Sequence, residues 1–322
     1  MSLEAAQRRA RGSFLAQLCG DALGAPFVGC AASEIAVDHP GGPREVLGDP
    51  TRGLAPGQGT AASELALALA RTLASEGGYE GERVAAAYVA WHRSGPLAPT
   101  AALELAFAGF PGTPSLVDGL GARADKETRC SAGLLRSGPL ALLGWRLPPD
   151  ELGQWAARDA RLSHPHPLCR HAAVLYTFAI ATALRREDLD GPGVYAETLA
   201  FARKRRWIPE ILADLEEAGD PLPDRAGEEG AIRTVFRGAF HHLARNTSLE
   251  DALRASVLRG GETSAQACAT GALLGAVRGW EEIPRSWAKA TLQCDSRRGL
   301  TYLAGDALRL ADALVSAGDR LA

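Results

Sequence analysis

No stretch of this 322-residue chain stays apolar for the roughly 18–20 residues that a bilayer span takes, so a membrane protein is not expected. Residues 1–12 carry charges and no apolar segment with a cleavage site follows, so secretion is not expected either. The six cysteines, Cys19, Cys30, Cys130, Cys169, Cys268 and Cys294, are scattered and form no CxxC pair. That spacing excludes a zinc ribbon and a disulfide scaffold. It points instead to reduced, mostly buried thiols in a cytoplasmic protein. A basic excess is missing as well: 35 Lys and Arg face 38 Asp and Glu, for a formal net charge of -3. Non-specific nucleic-acid binding, which needs a positive footprint to neutralise phosphates, is therefore not expected. Alternating β-branched residues are almost absent, which argues against a sheet. No fixed-period repeat appears, which argues against a solenoid.

What the chain does have is alanine, leucine and glycine, with 46% hydrophobic residues, enough to build a large core. Apolar segments recur between Gly/Pro/Asp punctuation. Helices are expected over Ala61–Ser75, Glu82–Ser94, Cys130–Leu143, Pro149–Arg161 and Pro167–Arg186. Five more are expected over Gly193–Arg205, Gly230–Ala244, Leu249–Leu258, Thr263–Gly279 and Arg298–Ala317. Leu65, Leu69 and Leu73 fall at i, i+4 and i+8, one face of a 3.6-residue period, and Leu175, Phe178, Ala179 and Thr182 share another. The fold class expected is all-α, an orthogonal helical bundle. The Pro/Gly-rich stretch from Asp38 to Gly59 reads as a long irregular loop, and such loops in compact proteins are more often functional than inert.

Several segments carry chemistry-bearing residues. Gly260-Gly261 precedes a helix, where glycines let the backbone approach a ligand and the helix N-terminus favours phosphate. Thr263 and Ser264 add hydroxyls there. His164 and His166 lie in a Pro-punctuated turn, as helix-cap packing or as a base near neutral pH. Cys130 would need a cation such as Arg129 or Arg136 to act as a thiolate. His92 and His241-His242 read as isolated polar groups. The basic run Arg203-Lys204-Arg205-Arg206-Trp207 reads as a solvated helix end.

Six of these segments, taken in order, resemble the ADP-ribosylglycohydrolase family over roughly residues 10 to 290. Gly20-Asp21-Ala22-Leu23-Gly24-Ala25-Pro26 resembles the family's GDALGxP turn. Gly59-Thr60-Ala61-Ala62-Ser63 stands where the family reads TDDT before an apolar helix, and Trp91-His92-Arg93-Ser94-Gly95-Pro96 resembles its W-x-x-S-G-P turn. Ser131-Ala132-Gly133-Leu134-Leu135-Arg136 resembles NGAAMR, and Ser163-His164-Pro165-His166-Pro167 resembles THPHP. Gly260-Gly261-Glu262-Thr263-Ser264-Ala265, then Gly271-Ala272-Leu273-Leu274-Gly275-Ala276, resembles GGDTDT followed by GALLGA. Ile283-Pro284 and Trp287 close the likeness.

The resemblance implies one all-α domain over residues 1–322, with a cleft that holds two divalent cations, usually Mg²⁺, beside an ADP-ribose pocket. It also implies a glutamate after GDALGxP that assists hydrolysis. Here Ala61 and Ala62 replace the TDDT aspartates and Ser63 its second threonine. Glu262, Ser264 and Ala265 replace the two aspartates and the last threonine of GGDTDT, and Val28 sits where the assisting glutamate falls. Mg²⁺ takes near-octahedral oxygen coordination, and methyl groups offer no donor. No metal ligands and no cofactor are therefore expected.

Three functions follow from this reading. The first is a pseudoenzyme that keeps the cleft, binds ADP-ribose or a related nucleotide, and serves as a sensor or contacts a protein partner. Thr60, Ser63, Ser131, Gly133, His164, Gly260, Gly261, Thr263 and Ser264 would line its ligand site. The second is a metal-independent hydrolase of ADP-ribosyl-type bonds with Glu262 as the catalytic residue. A second carboxylate would then be needed. Glu64 need not face inward, because one residue along a helix turns a side chain by about 100°, while Asp118, Asp125 and Glu127 lie in a loop that could reach the cleft. The third is a purely structural scaffold.

Overall fold

The computed structural model describes residues 2–108, 115–223 and 232–321. Among them the chain is helical and forms no strand, with an isolated bridge between Asp49 and Leu54. The helices are α1 (Leu3–Gly24), α2 (Ala32–Asp38), α3 (Ala61–Glu76), α4 (Gly81–Arg93), α5 (Ala101–Phe107) and α6 (Leu116–Arg123). They continue with α7 (Ala132–Leu135), α8 (Gly138–Leu143), α9 (Pro149–Arg161), α10 (Pro167–Arg185), α11 (Gly191–Arg203) and α12 (Pro209–Glu216). The chain closes with α13 (Ile232–Ala244), α14 (Leu249–Leu258), α15 (Thr263–Arg278), α16 (Arg285–Leu292) and α17 (Ala307–Gly318). The all-α bundle expected from the sequence is what the structure shows.

Local chemistry explains where several helices start. Proline at the first position of α9, α10 and α12 presets φ where no N–H partner is needed. Ser248 caps α14 by accepting from the Asp251 N–H, and Asp190 caps α11 through Gly193. Each supplies one of the acceptors a helix N-terminus otherwise lacks.

The centre of the molecule is the pairing of α1 with α15, whose backbones touch. A Cβ placed on Gly12 would lie 2.3 Å from the Gly275 carbonyl oxygen, and one on Gly271 would lie 2.2 Å from that of Ala16. Small residues here bring two helices closer than any side chain permits. The GALLGA likeness is thus partly a packing feature. Against α15 and α1 packs α10, with Leu175, Tyr176, Ala179 and Ile180 buried. By length and apolar character α10 does meet the requirement for a membrane span, contrary to the expectation from run lengths, but 83% of its apolar window is buried among other helices. A core helix must look like this.

Other expectations are corrected. Gly20 to Gly24 belong to α1 rather than to a turn, and a short 3₁₀ turn, Ala25–Phe27, follows directly. The helix expected over Cys130–Leu143 is two short ones, broken at Arg136-Ser137, where Arg136 turns inward to a buried partner. Asp118 lies within α6 rather than in a loop. The last helix starts at Ala307, and Arg298 sits in the irregular segment before it. The expected helix start at Gly230 lies outside the described residues.

Candidate functional site

The N-termini of α3 and α15 meet the C-terminal half of α1 at one side chain, Asp21, which is fully buried. Thr60, the N-cap of α3, donates to it twice, from its N–H (2.8 Å) and its hydroxyl (2.9 Å). Ser63, one turn on, donates from its N–H (3.0 Å) and from its hydroxyl. Ser264, in the first turn of α15, donates its hydroxyl to the other carboxylate oxygen. Five donors thus converge on one carboxylate. Two glycines make room: a side chain at Gly24 would strike the Ser264 amide at 2.6 Å, and one at Gly59 would strike the Ser63 hydroxyl at 2.5 Å.

Around this knot the residues expected to line a ligand site fall into three groups. Thr60, Ser63 and Ser264 come together on Asp21. Thr263 is next to them, with its hydroxyl donated to the Gly24 carbonyl (2.7 Å). Gly260 and Gly261 are both at positive φ, and Gly261 pairs with the loop after the 3₁₀ turn: Gly29 N–H reaches Gly261 O and Gly261 N–H reaches Cys30 O, each at 2.9 Å. The chain segment that starts at Val28 is thereby held against the entry to α15. Glu262 occupies the N-cap position of α15, half-buried.

Ser131 and Gly133 lie on α7 and its approach, both buried, and a Cβ on Gly133 would meet the His164 ring at 3.3 Å. His164 is fully buried, and burial followed by the nearby Arg136 charge pulls its pKa down to about 3. It is a neutral imidazole at any ordinary pH, with Nδ1 2.8 Å from the Ser163 hydroxyl.

Arg136 is committed elsewhere. It donates to the Asp159 carboxylate (2.8 Å), the Asp159 carbonyl (2.7 Å) and Ser163 (2.7 Å), while Tyr88 donates to the same carboxylate (2.7 Å). It therefore does not serve Cys130, whose thiol burial pushes upward, with Glu262 adding to the shift. Burial also pushes the neighbouring Cys169 up to about 12. Neither has the character of a nucleophilic thiolate.

Helical spacing leaves the direction of Glu64 open. It is buried and points inward, accepting from Trp91 Nε1 (2.7 Å) and from both Nε (2.6 Å) and Nη2 (2.9 Å) of Arg298. Nothing local could have announced its partner, which lies 234 residues away. The basic run is paired in part, Arg203 with Glu216 and Arg205 with Asp150.

The sequence profile of the ADP-ribosylglycohydrolase family matches residues 2–320. The chain belongs to that family. It is 25% identical over 281 residues to the ADP-ribosyl-(dinitrogen reductase) glycohydrolase of Rhodospirillum rubrum, a match that covers 87% of this chain and 88% of that protein. It also superposes on a solved structure titled ADP-ribosylglycohydrolase-related protein complex, with a TM-score of 0.76 and 25% identity, over 98% of this chain and 99% of that one.

Family membership implies divalent cations, and the residues present can be tested against them. A pair of Mg²⁺ ions needs several hard, anionic oxygens at about 2.0–2.1 Å. Ala62 and Ala265 present buried methyl groups instead. The hydroxyls of Thr60, Ser63 and Ser264, which donate to Asp21, are neutral oxygens, and Asp21 itself has both oxygens occupied. Among the described residues no three of His, Cys, Asp and Glu are grouped to hold a metal ion. The donor set does not fit the family's metal pair.

Proposed function

We propose that this ADP-ribosylglycohydrolase homologue does not carry out two-metal hydrolysis and keeps its cleft as a binding site for ADP-ribose or a related nucleotide, acting as a sensor or as a contact for a protein partner. The observation that carries this reading is the Asp21 knot. Three hydroxyls at or beside the family's ligand positions are turned inward onto one saturated carboxylate. The paired glycine backbone at Gly29 and Gly261, at the entry to α15, supports retention of a surface that a phosphate or ribose can approach. Hydrolysis centred on Glu262 is less well supported, because a glycosidase needs a second carboxyl group. Asp21 and Glu64, the buried carboxylates beside α3, are both committed to other partners.

Isothermal calorimetry with ADP-ribose, run with and without Mg²⁺, tests the reading. We expect saturable binding that Mg²⁺ leaves unchanged. No binding, or binding that appears only with Mg²⁺, would contradict it.

A further inference from the structure

Between α16 and α17 the chain crosses the outside of α3 as an irregular segment, residues 294–306, interrupted by one 3₁₀ turn at Leu300–Tyr302. Apolar burial is confined to its C-terminal part, where Ala304 is buried and Tyr302 packs partly buried against the core, whereas Leu300 is 85% exposed and Asp295, Arg297, Gly299 and Thr301 face solvent. Two guanidinium groups fasten the rest. Arg298, on the segment, grips the buried Glu64 with two donors and reaches the carbonyls of Ser94 (2.9 Å) and Gly95 (3.0 Å) and the Ser94 hydroxyl (2.8 Å) at the end of α4. Its guanidinium also lies 4.8 Å above the Tyr302 ring. Arg71, on α3, reaches the other way to the carbonyls of Thr301 (2.7 Å) and Leu303 (3.1 Å) and to the Asp306 carboxylate. Beneath the segment is a small pocket bounded by Gly57–Gly59, Ser63, Thr291, Cys294 and Tyr302. Ser63 belongs to the Asp21 knot, so the pocket adjoins the site from the side of α3.

We propose that residues 294–306 form a releasable strap, fastened by Arg298 and Arg71, whose opening admits small solutes to the pocket beside Ser63. A segment held by a few directional contacts and little apolar burial opens independently of the core. Removing one fastening should shift that local equilibrium and leave the α1–α15 pairing in place. The inference does not depend on which ligand the cleft takes.

Cys294 lies on the strap, half-buried, while Cys268 is fully buried in α15 and reports global unfolding. Maleimide labelling followed by peptide mapping reads both thiols in one sample. In Arg298→Ala we expect Cys294 to react at least about tenfold faster than in the wild type, with Cys268 still unreactive. An unchanged Cys294 rate, or equal acceleration of Cys294 and Cys268, would overturn the proposal. Hydrogen exchange on the unmodified protein supplies a measurement that no folding defect can spoil. Amides of 294–306 should exchange well before those of α15, and equal protection of the two would overturn the strap.

Discussion

Asp21 faces five donors, while an ionised carboxylate offers about four lone-pair directions. Such a group is expensive to disturb, because each orphaned buried donor loses its partner without regaining water. Asp21→Ala removes the acceptor of the Thr60, Ser63 and Ser264 hydroxyls and of two backbone N–H groups. We expect a loss of about 2–4 kcal/mol in urea unfolding, and a change within about 0.5 kcal/mol, the range of an ordinary surface substitution, would contradict the knot. The hydroxyl positions could be read from the sequence at the family's ligand motifs, but Asp21 could not be read as their hub. It lies in a segment that resembles the family's GDALGxP turn, and its partners lie 39 to 243 residues away. The direction of Glu64 is open for the same reason, since helical spacing says nothing of an arginine arriving from the far end of the chain.

Among the elements, those with a polar face and explicit start signals were the readable ones. Pro149–Arg161 and Leu249–Leu258 have the ends expected, the first with Pro149 at its start and the second with Ser248 as cap. The first helix has a start signal, Ser2 as N-cap accepting from the Ala5 N–H, but no polar face over its second half. From Gly12 to Gly24 every residue is buried, so no amphipathic period exists, and the glycines that look like breakers are contact points for α15. Gly275→Ala would drive a methyl into the Gly12 carbonyl, at 2.2 Å, and force the two backbones apart. Overpacking of this kind costs typically about 1–3 kcal/mol, visible as a lowered thermal midpoint. An unchanged midpoint would mean that the helices can separate without loss.

For the whole molecule, the bundle and its family follow from segment order, while chemistry follows from what stands at a few positions. The core built by α1, α10 and α15 needs small and apolar residues, and these are present; the cation site needs several carboxylates, and apart from Glu262 alanine and hydroxyl residues stand there instead. Helix packing and metal binding impose separate demands, so a chain can meet the first without the second. In this protein the N-termini of α3 and α15 are joined to α1 through hydrogen bonds to Asp21. The most direct test is to titrate Mg²⁺ into the purified protein by calorimetry while assaying release of ADP-ribose from an ADP-ribosylated arginine protein. No saturable Mg²⁺ binding and no Mg²⁺-dependent release are expected. Two Mg²⁺ ions bound per chain, accompanied by hydrolysis, would contradict this.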